Sequence, residues 1–402
     1  MRRIAVVGGG VVGSAVAWHL ADRELGDVVL VDRDRLGSGS TWHSAGNITW
    51  RPVGDNDAPV LYMLDTIERL ERETGLATGW LQTGRLVLAR DPAVMEGIAS
   101  QAAAAIARGR DSRLLEPKEA AALHPLLDPS TLVGAWHNPL SGRLNPADLV
   151  AAYAKAGRQR GVRIKEQCEV SGVIVANGRV RCLETADGPV EVDDVILCTG
   201  LWSRALLEPL GVVLAQWGCE HFYIICELEP RLARETPSFI APGDMVYGRE
   251  EVGGFLLGCF DEDARTVDAK ELPNPFAFTL LNEDWDKFSP YFETAVEMFP
   301  ALEHAPVRKF LNGPETFTPD TYPLIGPVSD IGGLYVCTAM NSHGVTLSAA
   351  AGHIVADMLA GIEPRFDASL YAPERFGSKA NDEAWLKRGV SRAPSFYYAQ
   401  SA

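Results

Sequence analysis

The chain opens with a short β-branched run, Ile4-Ala5-Val6-Val7, that stops at Gly8. Apolar positions then recur at helical spacing, at Val12, Ala15, Val16 and Leu20, before a second strand pattern, "DVVLVD", ends at Asp32. Farther on, "VSGVIVANGRVRCLETADGPVEVDDVILCTG" reads as three strands with turn signals at Asn177-Gly178 and Asp187-Gly188, running into a fourth, fully buried strand. The stretch "PADLVAAYAKAGRQRG" is helical, with Asn145 as N-cap, Pro146 at the first helical position and Asp148 in the first turn. "TPDTYPLIGP" reads as a turn and a short buried segment, and "GLYVCTAMNSHGVTLSAAAG" as strand, polar turn and helix start. Stretches 76–143 and 216–312 are richer in alternation and aromatics. The expected fold is α/β: a Rossmann-like parallel sheet with a β-meander insert, plus a discontinuous α+β domain with a mostly antiparallel sheet. The first domain is expected over 1–75, 144–215 and 313–375, the second over 76–143 and 216–312, and a tail over 376–402.

Composition narrows the partners. The 402 residues are 47% hydrophobic and 22% charged, as in a soluble globular protein, and are too many for one simple core. The formal net charge of −16 argues against nucleic acid or an anionic membrane and mildly attracts a cationic amine. Seven cysteines, no two closer than seven positions, exclude a CxxC pair and a close-spaced zinc site, so no metal is expected. No apolar run approaches the ~18 residues of a spanning helix. "MRRIAVV" lacks the h-region and cleavage site of an export signal, so the expected location is cytoplasmic.

Gly8, Gly10 and Gly13 stand in G-x-G-x-x-G spacing between the first strand and the first helix. Gly8 permits the tight turn, Gly10 lets the backbone approach a pyrophosphate, and Gly13 lets helix and strand pack closely. The helix N-terminus offers free N–H groups and the positive end of its dipole to the phosphates. Asp32, 19 residues past Gly13, accepts from both ribose hydroxyls and disfavours a 2′-phosphate. Together these predict an ADP-containing cofactor. The meander ending in an apolar strand plus Gly200 is the pattern of two-domain flavoproteins, rather than of a nicotinamide dehydrogenase with further βαβ units.

Several longer motifs carry a resemblance. "GSTWHSAG", "YMLDTIERLERETG", "GRLNPADL", "VILCTGLWS", "NGPETFTPDTYPLIGP" and "AMNSHGVTLSAAAGHIVADMLAGIEPRFD" resemble the flavin half of the dimethylglycine and sarcosine dehydrogenases. These belong to the D-amino-acid-oxidase-like superfamily of FAD amine oxidoreductases, and the likeness runs from Ile4 to about Arg375. It implies that His43, in the Trp42-His43 pair, carries FAD covalently through the methyl group on the benzenoid ring. That chemistry needs an unprotonated imidazole as nucleophile. Small neighbours such as Ser40, Ser44 and Gly46 let the loop lie against the cofactor. Thr41, Val12, Val170, Trp202, Asn341, Ser342, Gly344 and Val345 complete the expected cofactor contacts.

The resemblance also places His221 and Tyr247 near the substrate amine and carboxylate, with Arg249 two residues on. Arg51 is a second candidate carboxylate clamp, without a match in the family. His343 stands where the family is often apolar or aromatic; it is expected to touch flavin or substrate, or to cap the turn. The activity implied is oxidation of an N-methylated amine by hydride transfer to flavin N5, with hydrolysis of the iminium to formaldehyde. Oxidation of a primary or cyclic amino acid, or a flavin-bearing subunit of an electron-transfer assembly, are the alternatives. The electron acceptor is dioxygen or a carrier flavoprotein. The tail is expected to strap the flavin domain or to contact another chain, as part of a homo-oligomer or with a partner subunit. Many members of the resembling family continue into a folate-binding domain; this chain alone is expected to release free formaldehyde.

Overall fold

A computed structural model describes residues 1–50 and 57–399, with side chains through Ser395. Two large sheets organise it. The first has six strands in the order Leu324–Pro327, Leu334–Thr338, Asp194–Leu197, Arg3–Val7, Asp27–Val31 and Arg163–Lys165. All its pairings are parallel except that of the edge strand Leu324–Pro327. Its central strands are apolar on both faces, as a sheet covered on both sides requires. Ile4, Val6, Val28 and Leu30 pack on the helices Val11–Asp22 and Gly344–Ala360. Ala5, Val7, Val29 and Val31 face the other way, onto Val173, Val180 and Leu183 of the three-stranded meander.

That meander is Val170–Ala176, Arg179–Thr185 and Val190–Glu191, all antiparallel. Its first turn puts Asn177 and Gly178 at φ of 53° and 71°, the left-handed pair of a two-residue hairpin. The helix Pro146–Gln159 begins as its sequence dictates, the Asn145 side chain accepting from the Ala147 N–H at 3.0 Å.

The second sheet has nine strands. The long strand Trp217–Cys226 pairs along one edge with Val307–Phe317, and along the other with Thr266–Val267 and then Gly254–Cys259. Val246–Glu251, Ser238–Ala241, Arg85–Ala89, Gly134–Asn138 and Arg113–Leu115 continue the sheet. One pairing, Ser238–Ala241 with Arg85–Ala89, is parallel; the others are antiparallel. The strand Val307–Phe317 runs across the 312/313 boundary read from the sequence and stays paired in the second sheet through Phe317. One face packs on the helix Trp285–Met298 through Phe222, Phe288 and Phe310. The other face carries Tyr223, Ile240, Tyr247 and Leu311.

The helix Glu383–Ala399 straps the nine-stranded sheet, not the six-stranded one, seating Leu386 and Val390 on Trp217 and Cys219. No described helix is long and apolar enough to cross a membrane.

Candidate functional site

A cavity of about 500 Å³ opens at the C-terminal ends of the parallel strands, where a doubly wound sheet places its ligand. Gly8, at φ 99°, could not carry a side chain: a Cβ would lie 2.6 Å from the Cys198 carbonyl oxygen. A Cβ on Gly13 would lie 1.8 Å from the Gly8 carbonyl oxygen, so this glycine allows the helix to sit against the strand. Gly10 and Val12 line the cavity, and the Val11 N–H donates to Thr41 Oγ1 at 3.1 Å. The Asp32 carboxylate lines it too. It accepts from the Gly9 N–H at 2.5 Å and the Asp34 N–H at 2.8 Å, while burial pushes its pKa up. A glycine cradle, a helix start and an oriented acid in one cavity fit the ADP part of FAD.

The same cavity is walled by Ser40, Val170, Gly200 and Trp202. Ser40 Oγ donates to the Pro314 carbonyl at 2.8 Å, and the Arg33 guanidinium stacks 3.9 Å over the Trp202 ring. Another wall is the turn before the helix Gly344–Ala360, with Asn341, Ser342, Gly344 and Val345. Here Ala339, Asn341 and Ser342 all have positive φ (52°, 50° and 63°), a cluster of left-handed residues without glycine. Such conformations persist where the surroundings over-determine them. Asn341 Oδ1 accepts from the Thr318 N–H at 2.9 Å, its Nδ2 donates to the Ala339 carbonyl at 2.6 Å, and the Ser342 hydroxyl donates to Glu315. His343 is the residue before the helix, its Nδ1 bonded to the Asn341 carbonyl.

His43 lies beside this cavity without lining it, although Thr41 and Ser44 do. The residue is 4% exposed, and burial pushes its pKa down to about 4, with Glu315 opposing and His221 adding to the fall. The imidazole is therefore neutral at physiological pH. Trp42, which does not line the cavity either, meets it edge-on at 5.8 Å and is itself packed on Phe278 at 6.0 Å.

Beyond His43, His221 Nε2 and Tyr247 Oη are hydrogen-bonded at 3.1 Å, with rings nearly parallel. Phe260 packs against both. The Tyr247 ring covers Gly258, where a Cβ would fall 2.3 Å from the ring. Tyr247 and Phe260 are buried and His221 is half-buried, so the pair has an apolar wall on the Phe260 side. Arg249 is engaged with protein groups. Its Nε donates to the Ala45 carbonyl at 2.8 Å, and its Nη1 to the Glu250 carbonyl and the Glu251 carboxylate. Gly46, at φ 69°, lies on Leu144 away from the cavity. Arg51 lies outside the described residues. Among the described residues no cluster of histidine, cysteine and carboxylate side chains is arranged to hold a metal.

Sequence reasoning passed over Phe276 and Glu315, which also line the cavity. Glu315 stood inside the quoted motif "NGPETF" but as one strand residue among several. Phe276 sits in an irregular segment whose sequence carries no positional signal.

The chain is 32% identical to the mouse pyruvate dehydrogenase phosphatase regulatory subunit over 98% of its length and 45% of that protein's. It is 31% identical to 4-methylaminobutanoate oxidase (formaldehyde-forming) of Paenarthrobacter nicotinovorans, covering 99% of this chain and 48% of the relative. With mouse sarcosine dehydrogenase it shares 30% identity over 96% of this chain and 42% of the relative. The chain thus spans less than half the length of each of these relatives. In fold it resembles L-proline dehydrogenase from P. horikoshii, with a TM-score of 0.82 at 23% identity, over 94% of this chain and 98% of that one. Residues 3–358 match the DAO family, described as FAD dependent oxidoreductase, and the chain belongs to that family, whose cofactor is FAD.

Proposed function

We propose that this chain oxidises an N-methylated amino acid or a related secondary or tertiary amine to an iminium, which hydrolyses to the demethylated amine and formaldehyde. The observation that carries the reading is the hydrogen-bonded His221–Tyr247 pair against an apolar wall, next to His43 at the edge of the cofactor cavity. The names of two relatives, sarcosine dehydrogenase and 4-methylaminobutanoate oxidase (formaldehyde-forming), support this substrate class.

FAD, when bound, supplies the hydride acceptor at N5. Gly8, Gly10, Val12, Gly13 and Asp32 would hold its ADP part, and Val170, Gly200, Trp202 and the turn at Asn341–Val345 would hold the rest. His43 would carry the covalent link, since its burial keeps the imidazole in the nucleophilic, neutral form. His221 and Tyr247 position the amine, and the apolar wall beside them favours its uncharged form, which alone can release a hydride from carbon. In this division the segments 1–75, 144–215 and 313–375 serve the cofactor, and 76–143 with 216–312 the substrate, apart from the strand Val307–Phe317, which crosses the 312/313 boundary, and Phe276, which lines the cofactor cavity.

The test is anaerobic mixing of flavin-loaded protein with sarcosine, dimethylglycine, 4-methylaminobutanoate, proline and glycine. An N-methyl amine should bleach the flavin and yield about one formaldehyde per flavin reduced. Bleaching by proline or glycine without formaldehyde would favour an oxidoreductase of another amine class. No bleaching by any of them would favour a non-catalytic flavin-bearing subunit, a reading that similarity to a phosphatase regulatory subunit keeps in play.

A further inference from the structure

We propose that Gly313 is a positioning residue for the His43 imidazole: its missing side chain is the seat on which the ring rests. A Cβ built on Gly313 would lie 2.4, 2.5 and 2.6 Å from His43 Cε1, Nε2 and Nδ1. Three ring atoms at nearly equal distance mean that the vacant Cβ direction points at the face of the ring. The role differs from that of a turn glycine. Gly313 lies in the middle of the strand Val307–Phe317, paired opposite His221, and its φ is outside the left-handed region. Alanine therefore suits its backbone, and the three atoms a Cβ there would meet first all belong to the His43 ring.

When that contact is violated, the strand is not free to yield. Its ladder with Trp217–Cys226 continues on both sides of Gly313. Pro314 accepts the Ser40 hydroxyl bond, and Asn312 accepts from the Leu281 N–H at 2.8 Å while its side chain donates to the Asn282 carbonyl at 2.8 Å. The loop bearing His43 is equally tied, by Ser40 at one end and by the Arg249 bond to the Ala45 carbonyl at the other. Between these two tethers the imidazole is the movable part, so a methyl group on Gly313 displaces the ring. The neutral, buried nucleophile would then be aimed elsewhere. This inference rests on the reading of His43 as the flavin-linking residue, and the experiment separates the two.

Wild type, Gly313→Ala, His43→Ala and the double variant are compared at saturating FAD, by flavin retained after denaturation and by Tm. Wild-type protein should keep its flavin through acid precipitation; loss of all colour would reject the covalent link itself. Gly313→Ala should retain covalent flavin at under about a tenth of the wild-type fraction, the scale of a misplaced reacting group. It should also lower Tm by several degrees, roughly the shift of one overpacked contact. In the His43→Ala background the same substitution should move Tm by less than about one degree, because the clash is gone. An equal fall in Tm in both backgrounds would show that Gly313 serves the strand and not His43, and would overturn the proposal whatever the state of the flavin. Undiminished covalent loading in Gly313→Ala would overturn it as well.

Discussion

His221 and Tyr247 share one hydrogen bond at the edge of the expected substrate space, so each holds the other's polar atom in place. Tyr247→Phe removes the hydroxyl and leaves the ring on Gly258. The reductive half-reaction should slow by about tenfold or more, and His221→Ala by at least as much, with the flavin spectrum unchanged. Stopped-flow reduction by the best N-methyl amine measures this, and rates equal to wild type in both variants would make the pair structural. Side chains of this kind were nameable in the sequence because histidine and tyrosine stand out beside a family motif. Gly313 did not stand out. A glycine inside a strand weakens the strand pattern, and its importance lies in a neighbour 270 positions away, whose approach no local pattern records. Arg249, expected near the substrate from the resemblance, likewise donates to the Ala45 carbonyl, a neighbour 204 positions away that no local pattern records.

Elements whose signals are local were legible. The first strand, the glycine turn and the first helix follow one another within 22 residues, and the meander announces its turns at Asn177-Gly178 and Asp187-Gly188. In the six-stranded sheet the pairing of Arg3–Val7 with Asp27–Val31 could be anticipated from such pieces, because a βαβ unit dictates its own neighbours. The nine-stranded sheet could not be assembled in order. Its strands are joined by irregular connections, and one parallel pair, Ser238–Ala241 with Arg85–Ala89, links segments some 150 residues apart. The helix Glu383–Ala399 shows the same limit. The tail was expected to strap the flavin domain or to contact another chain; its docking as a helix on the strand Trp217–Cys226 has no local signal. Leu386 is fully buried there, so Leu386→Ala should cost about 2–5 kcal/mol in urea unfolding. A loss below about 1 kcal/mol would mean that the helix adds surface and little stability.

At the scale of the whole molecule, acid sensitivity is set by histidines locked away from water. Burial pushes His19 down to about 3, partly offset by its bond to the Ala15 carbonyl, and His124 down to about 4 among Phe239, Phe255 and Phe299. Both pKa values lie below that of an unfolded histidine, about 6.5. Below that pH the unfolded chain takes up protons that the folded chain refuses. The stability due to these residues is therefore complete above about 6.5 and falls away as the pH drops toward 4, by on the order of 1.4 kcal/mol per pH unit for each. Urea midpoints should decline through this window, and His124→Leu should make the decline shallower. A midpoint unchanged between pH 6.5 and 4.5 would refute the assignment.

The cavity's walls have one more consequence, in the order in which the molecule can be assembled. They are drawn from Val7 through Val345, and the middle of the six-stranded sheet sets Arg3–Val7 beside Asp194–Leu197, itself beside Leu334–Thr338. Each of those ladders closes a chain loop of well over a hundred residues, and the entropy of closing it comes due before any contact repays it. Structures dominated by such distant pairings form slowly. No fragment that stops short of Val345 contains the whole site, so a ribosome must have released nearly all of this sequence before a dinucleotide has somewhere complete to bind.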